Sequence, residues 1–333
     1  MRAWVLTKPA PMEEHPLELV DVPMPQPGPG EVRVRVLLCG ICRTDLHIAE
    51  GDLPAGKERL VLGHEIVGVV DAVGEGVTRV RTGQKVGVTW IGRTCGVCRH
   101  CLAGRENYCL DFQATGRDVD GGFAEYTLAR EEAVFSLEGI PQSDESLAPL
   151  LCAGVAGHCA FRLLNTEDGH RIGLYGYGPT AYYVLRVAAH LGLSVCVSSR
   201  SARNQKRAHQ HGAAWVGNAA DDPPPELDSA IVFPPAGDLV ELASRRVKPG
   251  GVIVLAPVAM SLIRIEDYSA NLWGRDIRTL YNVNRRDAEE LLQFAREIDL
   301  GLGTEVFPFD DCQQGMIRVR RGEISEANAA VRI

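Results

Sequence analysis

The sequence predicts an α/β protein in two parts, a β-rich, barrel-like unit over roughly its first 150 residues and a parallel α/β sheet beginning near Arg171. Three observations predict it. Glu31-Val32-Arg33-Val34-Arg35-Val36 alternates with the period of two expected of a half-buried strand. From Arg171 the pattern changes to strand, glycine turn, helix and strand, the alternation that builds parallel sheets. Finally, 333 residues exceed what one core ordinarily holds, so two domains are expected.

Within the first part, Cys42 to Ala49 has the apolar spacing of one or two helical turns. Gly63 to Val73 then resumes as an apolar strand, punctuated by Val73-Gly74-Glu75-Gly76. In the second part, Arg171-Ile172-Gly173-Leu174-Tyr175 leads through a glycine turn into a helical run ending at Leu191. Strands follow at Val195-Cys196-Val197, Ser229-Ala230-Ile231-Val232-Phe233 and Gly251-Val252-Ile253-Val254-Leu255. The run Asp221-Asp222-Pro223-Pro224-Pro225 reads as an exposed surface loop. From Arg285 the tail carries a helical run through Arg296, a strand at Glu305-Val306-Phe307-Pro308-Phe309 and a helix ending near Arg321. It is too short for a third domain and is expected to return and complete the first.

Composition narrows the function. A hydrophobic fraction of 45% with 23% charged residues is that of a soluble globular protein, not a disordered one. A formal net charge of −8 disfavours a nucleic-acid partner, whose phosphates need clustered lysine and arginine. The amino terminus meets Pro9 before a signal-peptide apolar region develops, and no later apolar run is long enough to span a bilayer. A cytoplasmic location with no membrane partner is therefore expected. Ten cysteines in such a chain read as thiols and metal ligands rather than disulfides.

The stretch from Gly40 to Glu65 carries half of a catalytic metal site. Cys42 and His64 offer a thiolate and an imidazole, which suit Zn²⁺, and catalytic zinc takes three protein ligands and leaves a position open. Cys152, in the apolar run Leu150-Leu151-Cys152-Ala153-Gly154, is the candidate for the third. Taken singly, each of these is an ordinary buried residue; the combination is what points to a metal. Glu65 adds a second potential ligand beside His64, and Asp45 is placed to orient the His64 imidazole. Thr44 and His47, two and five residues beyond Cys42, supply a hydroxyl and an imidazole suited to a proton relay.

Cys95, Cys98, Cys101 and Cys109 form a separate and more specific signal. Four thiolates at such short spacing close tetrahedrally on one zinc with no position left for chemistry, so this site is read as structural. The remaining cysteines, Cys39, Cys159, Cys196 and Cys312, read as packing thiols, and His211 among others as a surface histidine.

Gly176-Tyr177-Gly178-Pro179-Thr180-Ala181 lies between a strand and a helix and matches the Rossmann fingerprint, Ala181 replacing the third glycine. Glycines there allow a tight turn and close approach of a pyrophosphate to the helix amides. Beyond the second strand the chain reads Ser198-Ser199-Arg200-Ser201-Ala202-Arg203, with no acid to hold a ribose 2′-hydroxyl. Ser199, Arg200 and Arg203 suit a 2′-phosphate, so NADP(H) is favoured over NAD(H).

With these residues in place, the chain resembles a zinc-dependent alcohol dehydrogenase of the medium-chain dehydrogenase/reductase superfamily. The matching stretches are Gly40 to His47, Gly63-His64-Glu65, the four-cysteine lobe, Gly121 to Tyr126, Leu151 to Gly154 and the glycine turn. The second half, with Ser199-Arg200 and Ala213-Ala214-Trp215, is most like a bacterial branch near the cinnamyl alcohol dehydrogenases. The resemblance implies a GroES-like β-barrel catalytic domain built from residues 1–153 and 286–333, with a doubly wound Rossmann domain over 154–285 and the active site in the cleft. It also implies two zinc ions per chain, a catalytic one on Cys42, His64 and Cys152 with Glu65 able to take part in ligand exchange, and a structural one on Cys95, Cys98, Cys101 and Cys109. The implied activity is reversible oxidation of a primary or secondary alcohol to an aldehyde or ketone, in a homodimer or homotetramer. A polyol dehydrogenase, a dedicated aldehyde reductase, or a zinc-stabilised binding protein without chemistry are the alternatives. Leu53, Trp90, Ile91 and Trp273 are the apolar residues expected near the substrate.

Overall fold

The computed structural model describes residues 1–167, 169–220 and 226–333, so the loop expected at 221–225 lies outside the described residues. The chain divides into one compact unit made of Met1–Cys152 with Asn284–Ile333, and a second made of Ala153–Val283.

The first unit is built on the strand Glu31–Gly40. Its alternation buries Val32, Val34, Val36 and Leu38 and turns Arg33 and Arg35 away from the core. Three strands pair with it antiparallel: Glu65–Val73, Tyr126–Arg130 and, from the far end of the chain, Asn328–Arg332. That last strand was not foreseen in the sequence. It in turn pairs in parallel with Thr304–Pro308, and Lys85–Val88 and Val134–Ser136 extend the other side, making seven strands in one sheet. A three-stranded sheet of Leu17–Asp21, Arg2–Leu6 and Leu60–Val61 stands beside it. Trp4, Met12, Ile48, Phe123, Phe309 and Met316 share one hydrophobic core, so tail and amino terminus are packed together. The buried Trp4 indole donates to the Phe309 carbonyl at 2.8 Å, satisfying a polar group that burial would otherwise strand. The tail's two helices, Arg285–Glu297 and Cys312–Arg321, agree with the sequence reading.

The second unit holds six parallel strands in the spatial order Trp215–Gly217, Ser194–Ser198, Arg171–Tyr175, Leu227–Val232, Val247–Leu255 and Asp276–Thr279. Numbered along the chain this is 3-2-1-4-5-6, the doubly wound Rossmann order. Its short outer strands, Trp215–Gly217 and Asp276–Thr279, were not legible beforehand. The inner strands are apolar on both faces, as a sheet covered by helices requires, with Ile172, Leu174, Ile231 and Val254 fully buried. The order reverses between Arg171–Tyr175 and Leu227–Val232, which places a topological switch point just beyond Tyr175, where such sheets bind ligands. Among the described residues no helix is long and apolar enough to cross a membrane.

Candidate functional site

Three separate segments of the first unit bring Cys42, His64 and Cys152 together. Cys42 is the residue before the helix Arg43–Glu50, and the buried Asp45 carboxylate closes that helix end by accepting from the Cys42 amide at 2.8 Å. Gly63 has φ of +95°, and a Cβ there would come within 2.7 Å of Cys39 Sγ, so glycine is what lets the chain turn and present His64. The same Asp45 accepts from the Gly63 amide at 3.2 Å and lies 3.1 Å from His64 Nδ1. A carboxylate can only accept, so Nδ1 carries the hydrogen and Nε2 is left to face Cys152 Sγ, 3.3 Å away. Cys152 arrives on a π-helical turn, Leu150–Gly154, a widened geometry that concentrates at functional sites.

The Cys42 and Cys152 sulfurs are 3.8 Å apart, and with His64 and Glu65 they place four ligand atoms within 4.8 Å of one another. Two thiolates at tetrahedral Zn–S distances would lie about 3.8 Å apart, so the donor set fits a zinc ion in both chemistry and spacing. Glu65 sits directly across the sheet from Gly40, and a Cβ on Gly40 would overlap the Glu65 carboxylate. Gly40 is thus a site residue that the sequence reading used only as a motif boundary. The Trp90 ring stands edge-on to His64 with centroids 5.0 Å apart.

Electrostatics follow from burial and crowding. The hydrogen bond shared with Cys152, more than burial opposes it, draws the Cys42 thiol well below its usual range. The same contact, with burial, pushes Cys152 up. Burial works against a charged His64, but the Asp45 carboxylate and, after it, the Cys42 sulfur together outweigh it and hold the imidazole well above its ordinary value. Glu65 is pushed well up, by burial first and then by the Cys42 charge. This concentration of negative donors in a dry place is what a divalent cation satisfies.

Thr44 Oγ1 lies 3.6 Å from Cys42 Sγ. His47 is on the outer face of the same helix, its side chain 54% exposed, and bonds Asp52 Oδ2 at 3.0 Å. Among the described residues no hydrogen bond joins His47 to Thr44.

The four cysteines of the other group also converge. Cys98 and Cys101 sulfurs are 3.6 Å apart, Cys95 and Cys109 3.5 Å, and Cys95 and Cys101 3.9 Å. These separations again match a tetrahedral thiolate set. The Cys98 amide points at the Cys95 sulfur at 3.4 Å, and amides of Val97 and Cys98 bring the Cys95 thiol down to about 7. Burial and the Cys98 contact push Cys101 up to about 12.

In the second unit, Gly176 has φ of +87° and its amide donates to the Ser198 carbonyl at 2.7 Å, drawing the turn onto the neighbouring strand end. Gly178 precedes the helix Pro179–His190, Pro179 taking the first helical position, where no amide hydrogen is missed. A Cβ at Gly178 would meet nothing within 4 Å, leaving the helix amides open to a phosphate. Thr180 packs through its backbone against Gly157, and Ala181 is fully buried. Ser199 is buried and Arg200 and Arg203 are exposed at the following strand end, with no carboxylate among 198–203. The residues therefore fit a nicotinamide dinucleotide. His211 is half-buried, against the surface position expected of it, with its Nδ1 2.8 Å from the Tyr177 hydroxyl.

Known proteins resemble this chain in sequence and fold. Residues 28–139 match the family described as the alcohol dehydrogenase GroES-like domain. Over 333 aligned residues the chain is 39% identical to the "Probable alcohol dehydrogenase AdhA" of Mycobacterium tuberculosis, covering 98% of this chain and 96% of that protein. An alcohol dehydrogenase of Geobacillus stearothermophilus is 34% identical over 93% of this chain and 94% of its own. Among solved structures, a cinnamyl alcohol dehydrogenase of Sorghum bicolor superposes with a TM-score of 0.84 at 26% identity, covering 99% of this chain and 97% of that one. The chain belongs to the alcohol dehydrogenases of the medium-chain dehydrogenase/reductase superfamily, oxidoreductases that combine a GroES-like unit with a Rossmann unit.

Proposed function

We propose that this chain reversibly transfers hydride between a primary or secondary alcohol and NADP⁺, using one catalytic and one structural zinc. The observation that carries the reading is the convergence of Cys42, His64 and Cys152, with Asp45 fixing which imidazole nitrogen faces the sulfurs. Cys42, His64 and Cys152 would hold the catalytic metal, with Glu65 near enough for ligand exchange, and Cys95, Cys98, Cys101 and Cys109 the structural one. When bound, zinc supplies Lewis acidity and the nicotinamide accepts the hydride. The Thr44 hydroxyl, which can accept the alcohol proton while giving up its own, would begin a relay towards the exposed His47 with Asp52, the step between Thr44 and His47 being carried by a group outside the chain. Trp90, edge-on to His64, and half-buried Leu53 give the substrate an apolar wall.

Gly176, Gly178, Pro179, Thr180 and Ala181 cradle the pyrophosphate, while Ser199, Arg200 and Arg203 favour the 2′-phosphate of NADP(H). We take the protein to act in the cytoplasm as a homodimer or homotetramer. The sheet has two outer strands, Trp215–Gly217 and Asp276–Thr279, and the second, with exposed Ile277 and Tyr281 nearby, is the edge we take for pairing. The test is zinc per chain on freshly purified protein, with initial rates on a panel of aldehydes using NADPH and NADH. Two zincs and a preference for NADPH are expected, and Cys42→Ser is expected to keep the fold and lose turnover. A folded Cys42→Ser with wild-type rates would refute the ligand assignment; one zinc and no turnover would leave a zinc-stabilised binding protein.

A further inference from the structure

The glycine turn contains a side chain that its chemistry does not call for. Between Gly176 and Gly178 stands Tyr177, only 6% exposed, whose hydroxyl lies 2.8 Å from His211 Nδ1. The ring of Tyr182, one turn into the following helix, stands edge-on to the same imidazole with centroids 4.8 Å apart. His211 is the residue that ends the helix Ala202–Gln210, and that helix starts at Ser201, whose side chain accepts from the Asn204 amide at 3.4 Å. Its beginning is therefore contiguous with Ser199 and Arg200. The turn is thus joined to its neighbour at two points: the Gly176 amide on the Ser198 carbonyl, and the Tyr177 side chain on the far end of the next helix.

A turn with two glycines is soft, because glycine gives up the most conformational freedom on ordering. A ligand that needs its amides aligned must supply that ordering unless the protein has already done so. We propose that Tyr177 is a positioning residue for the dinucleotide, its buried phenol pegging the glycine turn to His211 and so holding the phosphate-binding amides in register with the Ser199-Arg200 segment. The inference rests on the dinucleotide reading above. The hydrogen bond is a neutral one. Burial, then Tyr182, push the phenol up against the opposing charges of Arg207 and Arg186. Burial, then Arg207 and Arg186, bring the imidazole down. A neutral bond of this kind is stronger away from water than at the surface, and its loss leaves a buried group unsatisfied.

The experiment is a fluorescence titration of the full chain with NADPH, NADH and ADP-ribose, for the wild type and for Tyr177→Phe, His211→Leu, His211→Gln and the Tyr177→Phe/His211→Leu double variant. Each of the first two variants is expected to weaken all three ligands about three- to ten-fold, the range of one hydrogen bond. The double variant should be no weaker than the worse single one, and His211→Gln, which keeps an acceptor, should recover most of the loss. The rate at saturating cofactor should not change, whereas a merely structural role would lower the melting temperature and leave affinity alone. Wild-type affinities in Tyr177→Phe, or additive losses in the double variant, would overturn the peg while leaving the dinucleotide reading intact. A wild type that binds none of the ligands would overturn both.

Discussion

Asp45→Asn tests the metal site with the smallest change of shape. The Asp45 carboxylate is fully buried and takes three donors, the Cys42 amide at 2.8 Å, the Gly63 amide at 3.2 Å and His64 Nδ1 at 3.1 Å. The first falls on Oδ2 and the other two on Oδ1. An asparagine has one acceptor oxygen, so whichever way it is turned its NH₂ confronts at least one of these donors, and the remaining bonds lose their charge. Hydrogen bonds to a charged group contribute about 1.5–3 kcal/mol each, so losing one and weakening the others should destabilise the first unit by about 2–4 kcal/mol. Freed from the carboxylate, the His64 ring loses both its tautomer and its direction. Removing such a partner typically lowers metal affinity about 10- to 100-fold. The assay is zinc release against a graded chelator, counted per chain. The four-cysteine group shares no residue with Asp45 and serves as the internal reference. One zinc is expected to leave Asp45→Asn at about 10- to 100-fold less chelator than in the wild type, with the other unchanged. Two zincs released as in the wild type would refute the argument that Asp45 orients His64 for a metal.

Other outcomes are expected on the same grounds. Gly40→Ala sets a methyl into the space of the Glu65 carboxylate, and such overpacking costs about 1–3 kcal/mol, so both the melting temperature and turnover should fall. Unchanged values for both would mean that Glu65 moves aside freely. Arg200→Ala should raise the KM for NADPH about ten-fold or more and leave NADH unaffected, as initial rates with each cofactor would show. Asp228 accepts from the Arg171 amide at 2.7 Å and from Lys248 Nζ at 2.9 Å. Although burial opposes it, these partners bring its carboxyl below the ordinary value. A lowered folded pKa contributes stability above the unfolded value that is lost as pH falls through the folded one. Asp228→Asn should therefore cost about 1 kcal/mol near neutral pH, and the difference should shrink in urea melts as pH falls below the ordinary carboxylate range, where Asp228 itself takes up its proton.

The sequence by itself determined the elements whose physics is local. Alternation in Glu31 to Val36, the glycine turn after Arg171 to Tyr175, and the spacing of Cys95, Cys98, Cys101 and Cys109 each carry their meaning within a few residues, because strand period, backbone freedom and thiolate geometry act over that range. The sequence pointed to Cys42, His64 and Cys152 as one ligand set by residue type and context, with nothing local to bring them together. Tertiary structure decided that they meet, since Cys42 and Cys152, 110 positions apart in the chain, are folded so as to leave 3.8 Å between their sulfurs. It also decided what periodicity could not reach. The strand Asn328–Arg332 takes its place only through pairing with Glu31–Gly40, and Gly40 matters only because Glu65 lies across the sheet from it. His211 reads as a surface histidine until Tyr177, 34 residues earlier, is found against it. Contacts of that kind are set by how elements pack, and no window of sequence contains both partners.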